Sequence, residues 1–299
     1  MPIAATLVRR RCASSGGVAR TSELAAAGID RYSLALAVAA GEVVRLREGV
    51  YAVPELPLPV QTAVRHGGAL GCLSRVHAAG LWVLAAPDVV HVSMPRTGRR
   101  RRHEGCRCRT HWSRESTTEP RATLEEALVQ LHGCRGAEEF FVALESAMRK
   151  RFLTRKRVLA LRARIPARHR WLVDFARWNA DSGLESLLRL RLRGLGLELR
   201  SQVWVPGVGR VDFVLGDRLI LEADGKANHV DEFRPSPGSG SMAVSKRHKD
   251  LARDAAAAAL GFETLRFDYA LIVHDWPTVA AAILARIERG THVRGRVAR

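Results

Sequence analysis

Six ionisable residues in the segment 171–299 are of types that could carry out hydrolytic chemistry. Asp212 and Glu222 belong to two apolar segments joined at Gly216-Asp217, a dipeptide typical of a hairpin, so their side chains can converge at one sheet edge. Glu222 and Asp224 are two residues apart and share a face of a continued strand. The six candidate catalytic residues are Glu185, Asp212, Glu222, Asp224, Lys226 and His229.

Clustered carboxylate oxygens are hard ligands, which suit Mg²⁺ or Mn²⁺. A metal held by Asp212 and Glu222 could activate water and neutralise charge that develops on a phosphate. Lys226 could supply a cation for the transition state, and His229 could transfer a proton. Because a carboxylate inside the apolar run 219–223 is costly to bury unless it is paired or metal-bound, we predict a Mg²⁺ or Mn²⁺ site at Asp212 and Glu222.

Each of these carboxylates also has a structural explanation. Glu185 lies three residues after Ser182, which is the spacing of a helix capping box. Asp212 could pair with a nearby arginine, and Asp224 with the glycine after it could form a turn. Both explanations stay open for these residues.

The elements around the acidic residues predict a mixed α/β domain. Their order is α-β-β-β-α-β-α, which requires a mixed sheet covered by helices. The predicted helices are 182–193, 246–260 and 277–287, the predicted strands are 202–205, 211–215, 218–222 and 263–267, and a loop is predicted at 233–241.

Residues 184–268 resemble the restriction-endonuclease-like PD-(D/E)xK superfamily, and especially its very-short-patch-repair-like branch. The resemblance implies that Asp212 and Glu222 hold a metal, that Glu185 is the acid supplied by the helix, and that the domain cleaves a phosphodiester bond. The shared motifs are R-V-D-F at 210–213, E-A-D-G at 222–225 with His229 after it, R-D at 253–254 and L-R-F at 265–267.

The chain departs from the superfamily motif at one position. Asp224 stands where the motif has lysine, Lys226 comes two residues later, and Lys246 or Arg247 could supply the charge from the next helix. Two functions are consistent with this pattern. The favoured one is a Mg²⁺-dependent endonuclease acting on DNA, and the alternative is a non-enzymatic regulator whose nuclease-like fold is inactive.

The first 58 residues predict a winged helix-turn-helix. A helix at 21–27, a second helix at 31–40 capped by Asp30, and strands at 43–46 and 50–53 succeed one another with short turns. In this arrangement the second helix enters the major groove and the hairpin touches the DNA backbone, although protein-contact domains use the same elements. The candidate DNA-binding residues are Arg31, Tyr32 and Ser33 on the helix, and Arg45 and Arg47 on the wing.

The same region resembles the N-terminal winged-helix domain of the AbiEi-type antitoxin family. The resemblance rests on residues 19–24, 28–29 and 41–51, and its most distinctive piece is the closing R-E-G-V-Y at 47–51. It implies operator binding, transcriptional autoregulation and a toxin as a protein partner. A protein-interaction role for the whole chain is a third alternative.

Composition limits the class of protein. The chain has 299 residues, of which 47% are hydrophobic, so it can build cores and is not disordered throughout. No apolar run reaches the length of a membrane span and the first residues do not resemble a signal peptide, so we expect a bacterial cytoplasmic protein without a membrane partner. With 48 Lys and Arg against 30 Asp and Glu, the net charge of +18 indicates a polyanionic partner, first of all nucleic acid.

The middle region is less informative. Its histidines and cysteines at 103–111 have the spacing H-x2-C-x-C-x2-H, and the two cysteines lie closer than the C-x2–4-C of zinc sites. The alternation at 105–109 instead predicts a strand with both thiols on one face. Residues 149–170 contain ten basic residues and no acid, which could be a phosphate-tracking face or a solvated helix surface.

Together these observations predict an α+β multidomain protein. The predicted domains are a winged helix-turn-helix at 1–58, a middle α/β and helical region at 59–170, and a restriction-endonuclease-like α/β domain with a mixed sheet at 171–299.

Overall fold

Helices and strands alternate in both structural units of the chain, which is of the mixed α+β class. The computed structural model describes residues 3–115, 119–224, 248 and 251–294. The two units are Met1–Ala176 and Arg177–Arg299. The boundary predicted at residue 58 falls inside the first unit, whereas the boundary predicted at 170 falls a few residues before the division between the units.

Six elements at the start of the chain are compatible with a winged helix. Their three strands form an antiparallel sheet in which the third strand lies between the first and the second. The elements are α1 (Ile3–Ser14), β1 (Val18–Arg20), α2 (Thr21–Ala26), α3 (Arg31–Ala39), β2 (Val44–Arg47) and β3 (Val50–Ala52).

Local sequence explains the sharp boundaries of these elements. Asp30 caps α3, because its Oδ1 accepts a hydrogen bond from the backbone N–H of Ser33 at 2.7 Å. The turn between β2 and β3 needs a left-handed residue, which Gly49 supplies with a φ of 68°. The helix–turn–helix–hairpin order predicted from the sequence is therefore present in the structure.

The remainder of the first unit is a small sheet surrounded by helices. In that sheet β5 pairs antiparallel with β4 and parallel with β6. The connection between the parallel strands β5 and β6, residues 96–108, forms neither a helix nor a strand. The elements are α4 (Leu58–His66), β4 (Ala69–Leu70), α5 (Cys72–Ala78), β5 (His91–Pro95), β6 (Arg109–Ser113), α6 (Leu124–Arg135), α7 (Ala137–Arg149), α8 (Arg155–Arg164) and α9 (Trp171–Phe175).

The strand predicted at 105–109 is wrong in its extent, because Cys106 and Cys108 precede β6. A tight turn comes first. Gly105 has a φ of 64°, and the N–H of Cys106 donates to the carbonyl of His103 at 3.0 Å. Backbone folded in this way cannot join a strand ladder, so the two thiols lie in the connection and not on the sheet.

The second unit is built on a mixed four-stranded sheet, as the order of elements predicts. Its strand order is β10-β9-β8-β7, with β10 parallel to β9 and the other pairs antiparallel. The elements are α10 (Gly183–Gly194), β7 (Leu199–Val205), β8 (Gly209–Leu215), β9 (Leu219–Asp224), α11 (residues 251–259), β10 (Glu263–Asp268), a π-helical turn (Ala270–His274) and α12 (Trp276–Glu288). The predicted loop 233–241 and the predicted helix start at 246 lie outside the described residues.

A valine-rich core joins α11 to this sheet. Val211 and Val214 of β8 pack with Ile220 of β9 and with Ala257 of α11, and all four are at least 99% buried. Burial of this apolar face fixes α11 against the strands that carry Asp212 and Glu222. In the part of the chain that the structure describes, no helix is both long enough and apolar enough to cross a bilayer.

Candidate functional site

The face of α3 that points away from the core is exposed to solvent. Leu34 and Ala37 are buried in the core of the first unit, whereas Arg31 and Ala35 are exposed and Tyr32 is 72% exposed. The exposed side chains recur with the helical period, so they form one stripe along the helix. Small residues in that stripe would allow the helix backbone to come close to base edges.

Ser33 serves the cap of α3. Its N–H donates to the carboxylate of Asp30 at 2.7 Å, and this bond is the main cause that lowers the pKa of Asp30. The structure gives Ser33 a positioning role beside Arg31 and Tyr32, which extend to the solvent.

The two arginines predicted on the wing differ in environment. Arg45 of β2 is exposed. Arg47 is half-buried, and its Nε donates to the carbonyl of Val64 in α4 at 3.1 Å. Burial, and then the nearby Arg101 and Arg20, lower the pKa of Arg47. Arg45 is therefore the wing cation that is open to phosphate, whereas Arg47 ties the wing to α4.

In the second unit, Asp212 and Glu222 form a neighbouring pair on β8 and β9. Phe213 lies opposite Leu221, so the next register position places Asp212 opposite Glu222. The N–H of Ala223 donates to Asp212 Oδ2 at 2.9 Å. Burial raises the pKa of Asp212, and burial together with the Asp212 charge raises the pKa of Glu222 to about 7. A cation between these carboxylates would relieve both effects.

Arg253 of α11 is a functional candidate that sequence reasoning did not single out, although it opens the R-D motif. Its guanidinium lies 3.4 Å from Glu222 Oε1 and donates to the carbonyl of Arg210 at 2.8 Å. The next residue, Asp254, accepts from Arg266 of β10 at 2.6 Å. The motif thus connects α11 to the acidic pair and to the neighbouring strand.

Glu185 is buried on α10 and takes part in a half capping box. Its N–H donates to Ser182 Oγ at 3.1 Å, and its side chain accepts from Gln202 Nε2 at 2.7 Å. Gln202 has a φ of 55° at an irregularity in β7, and this aims its amide at Glu185. The structure therefore gives the Glu185 side chain a bond to the sheet, besides the bond of its N–H to the cap.

Asp224 is exposed at the end of β9, opposite Asp268 of β10. Lys226 and His229 lie outside the described residues, as do Lys246 and Arg247. Among the residues that the structure describes, no group of three or more Asp, Glu, His or Cys at metal-ligating distances includes Glu185, Asp212, Glu222 or Asp224. The described part of the predicted metal site is the pair of Asp212 and Glu222.

Sequence reasoning also missed two clusters of cysteine and histidine in the first unit. In each cluster, the candidate ligand atoms of two cysteines and two histidines lie within 4.8 Å of one another. In the sequence, only the spacing of histidines and cysteines at 103–111 indicated a metal site, and the residues of this segment belong to both clusters. The first cluster is His66, His103, Cys106 and Cys108, and the second is Cys72, His91, His111 and Cys134.

Comparison with known protein families gives a match for the N-terminal part of the chain. A search of the curated proteins finds no match to the chain. Residues 9–54, from within α1 to just after β3, match the family model described as "Transcriptional regulator, AbiEi antitoxin". The N-terminal part of the chain, which holds all five candidate DNA-binding residues, is thus similar to the DNA-binding regulator domain of AbiEi antitoxins.

Proposed function

We propose that the protein is a DNA-binding transcriptional regulator of the antitoxin type. The observation that carries this proposal is the match of residues 9–54 to the AbiEi antitoxin regulator model. The exposed stripe of α3 and the net charge of +18 support it, since an operator is a polyanion read by a helix in the major groove.

The arrangement of charges indicates how this domain would hold DNA. The carboxylate of Asp30 occupies the N–H of Ser33 at the start of α3, and its negative charge disfavours a phosphate there, so the phosphate contacts would come from side chains. Arg31 and Tyr32 at the start of α3 would reach base edges, and Arg45 on the wing would contact the backbone. Arg47 would keep the wing in place through its bond to Val64.

The test is binding of the purified full-length protein to its own promoter, measured by footprinting and by fluorescence anisotropy at fixed salt. Arg31→Ala, Tyr32→Ala and Arg45→Ala should each weaken binding by roughly 5- to 150-fold, the equivalent of ~1–3 kcal/mol per contact. Arg289→Ala removes the same charge from an exposed position in the second unit and should bind like the wild type. Unchanged binding in all three variants would overturn the proposed interface.

The same match supports a toxin as the protein partner of this regulator. Coexpression with the product of the gene that shares its promoter, and then size-exclusion chromatography, tests this. A stable complex that elutes as one species is the expected result, and separate elution of the two proteins contradicts it.

We infer a second candidate function for the second unit, a Mg²⁺- or Mn²⁺-dependent endonuclease acting on DNA. The observation that favours it is the half-buried pair of Asp212 and Glu222, in which the pKa of Glu222 is raised to about 7. Two neighbouring, half-buried carboxylates fit a hard divalent cation. Such a cation would supply an activated water and charge neutralisation at a phosphate.

Within that site the protein's own residues have distinct tasks. Asp212 and Glu222 would hold the metal, and the N–H of Ala223 fixes the orientation of Asp212. Arg253 would orient Glu222, which it contacts at 3.4 Å. Four further residues remain predicted members of the site, namely Glu185, Asp224, Lys226 and His229.

A nicking assay with structured and mismatched DNA, in Mg²⁺ and separately in Mn²⁺, tests this second function. Asp212→Asn and Glu222→Gln should each abolish metal-dependent cleavage, whereas Glu288→Gln at an exposed position of α12 should leave it unchanged. A wild-type protein that cuts none of these substrates would exclude the nuclease and would leave the regulator proposal intact.

A further inference from the structure

Two Cys2His2 clusters lie in the first unit, each drawn from at least two elements or connections. A tetrahedral zinc ion binds thiolates at about 2.3 Å and imidazoles at about 2.0–2.1 Å, which places neighbouring ligand atoms roughly 3.3–3.8 Å apart. The ligand atoms of each cluster lie within 4.8 Å of one another. Cluster A is His66, His103, Cys106 and Cys108, and cluster B is Cys72, His91, His111 and Cys134.

Distances in cluster A match the edges of such a tetrahedron. His66 Nδ1 lies 3.3 Å from Cys106 Sγ. His103 Nε2 lies 3.5 Å from Cys108 Sγ. Each histidine therefore presents one ring nitrogen to the sulfur atoms, at the separation that a shared zinc ion would impose.

The other ring nitrogens of cluster A have partners of the kind that orient zinc-bound histidines. His66 Nε2 lies 3.1 Å from the hydroxyl of Thr110. His103 Nδ1 lies 3.2 Å from the carbonyl of Glu104, to which it can donate. A proton held on the outer nitrogen leaves a lone pair on the nitrogen that faces the sulfur atoms, which is the tautomer that ligates a metal.

Cluster B has a similar geometry in a more buried setting. His91 Nδ1 lies 3.0 Å from His111 Nε2 and 3.9 Å from Cys134 Sγ. His91 is 1% exposed and Cys72 is fully buried. Arg109 Nη1 lies 3.6 Å from Cys134 Sγ, where it would stabilise a thiolate.

The backbone conformation of Cys72 also supports a ligand site at cluster B. Cys72 begins α5 with a φ of 45°, a left-handed conformation that is unfavourable for a residue with a Cβ. Strain of this kind persists only where the surroundings fix it, and ligand sites are among the places where it accumulates. Here it aims the buried thiol of Cys72 at the other three members of cluster B.

The connection between β5 and β6 has few apolar side chains that could pack it against the rest of the unit. Parallel strands are usually joined by a crossover helix whose apolar face packs on the sheet. The connection 96–108 between β5 and β6 has six arginines and no Leu, Ile, Val, Met, Phe, Tyr or Trp, so it has little apolar surface to bury. Three of its residues belong to cluster A, and the fourth ligand, His66, comes from α4.

We propose that the first unit binds two structural Zn²⁺ ions, one in cluster A and one in cluster B. Four protein ligands close each site, which leaves no open position for catalysis. On binding, each pair of thiols releases two protons to the solvent, and the resulting site of one Zn²⁺, two thiolates and two neutral imidazoles carries no net charge. Cluster A fixes the connection 96–108 to α4, and cluster B joins α5, β5, β6 and α6.

Metal analysis of the untagged full-length protein, purified under reducing conditions and reconstituted with Zn²⁺, tests this proposal. The expected result is two zinc ions per chain. Cys106→Ser with Cys108→Ser should reduce the content to one, as should Cys72→Ser with Cys134→Ser. Cys12→Ser and His77→Asn, which change the same residue types outside both clusters, should retain two. Wild type without bound zinc, or paired variants that keep two ions, would overturn the proposal.

Measurements on the wild type keep the proposal falsifiable if a paired variant fails to fold. Substitution with Co²⁺ should give intense ligand-field bands of a tetrahedral site and thiolate charge-transfer absorption. The four cluster thiols should resist a thiol reagent until a chelator is added, whereas the reactivity of Cys12, which is buried in a hydrophobic core, should not depend on the chelator. Weak octahedral Co²⁺ spectra, or an intact mass showing disulfides in place of bound metal, would contradict two zinc sites. None of these readouts depends on DNA binding.

Discussion

Glu222 shows how a single side chain combines opposing electrostatic influences. Burial and the neighbouring Asp212 disfavour its charge, whereas Arg253 and Arg266 favour it, and the net effect raises its pKa to about 7. The pairing of Asp212 with Glu222 was predictable from a hairpin signal and strand alternation. The contact with Arg253 was not, because it depends on how α11 packs against β8 and β9.

The raised pKa of Glu222 predicts a pH-dependent stability. Below pH 4.5 the carboxyl is neutral in both folded and unfolded chains, and the folded chain keeps its proton up to about pH 7. Stability is therefore lost as the pH rises from 4.5 through 7. Glu222→Gln removes this loss, so the Tm of the variant should match that of the wild type near pH 4.5 and exceed it by several degrees at pH 8.

Thermal melts across this pH range, in buffer without Mg²⁺ or Mn²⁺, measure the effect. Asp224→Asn changes an exposed carboxylate on the same strand and serves as the control. A Tm difference between Glu222→Gln and wild type that does not vary with pH would contradict the raised pKa.

At the scale of elements, α3 depends on its cap. The carboxylate of Asp30 bonds the N–H of Ser33, and the helix has no acidic residue in its first turn to replace it. Asp30→Ala should cost about 1 kcal/mol of unfolding free energy and weaken operator binding by misplacing Arg31 and Tyr32. Asp30→Asn, which keeps the cap, should restore both in urea unfolding and in anisotropy; equal losses in the two variants would contradict a capping role.

The basic run 149–170 is only partly a free surface. Three of its arginines pair with acids on other elements: Arg157 with Glu125, Arg162 with Asp174 at 2.7 Å, and Arg164 with Glu126. The sequence shows no acid within the run, and the partners come from α6 and α9. Only the packing of these helices could show that several arginines of α8 form ion pairs within the protein.

Arg164 gives this conclusion a measurable consequence. Its partner Glu126 is buried and also accepts from Gln130 at 3.0 Å. Arg164→Ala would leave that buried carboxylate without its guanidinium and should cost ~1–3 kcal/mol in urea unfolding. Arg155→Ala, at an exposed position of the same helix, should change stability by less than about 0.5 kcal/mol. Equal effects of the two changes would show that the ion pair does not stabilise the fold.

At the scale of the whole molecule, the net charge of +18 should appear in the salt dependence of DNA binding. The logarithm of the binding constant should fall linearly with the logarithm of salt concentration, with a slope of about −0.9 per phosphate neutralised. Arg45→Ala should reduce that slope by about 1, whereas Tyr32→Ala should weaken binding without changing it. A slope near zero for the wild type would exclude a phosphate-dominated interface.

The order of elements could be predicted from α2 to β3 and around the acidic pair of the second unit, because caps, glycines and strand alternation are local signals. Examples are Asp30 before α3 and Ser182 before α10, each of which accepts a bond from its helix. The helix α1 and the strand β1 were not predicted. Cluster B could not be predicted, since Cys72 and Cys134 approach each other only after the sheet and helices have packed. Cluster A has a local pattern at 103–108, but its fourth member, His66, lies on α4, and the spacing of its two cysteines is shorter than that of usual zinc sites.

The wing has an evolutionary consequence through the core that it shares with α4. Leu46, Val50 and Ala52 of β2 and β3 are buried against Val60 and Val64 of α4, beyond the matched segment 9–54. A recombination event that transferred only that segment would leave these apolar side chains exposed to solvent. A gene fusion that keeps this core intact should therefore carry α4 together with residues 9–54.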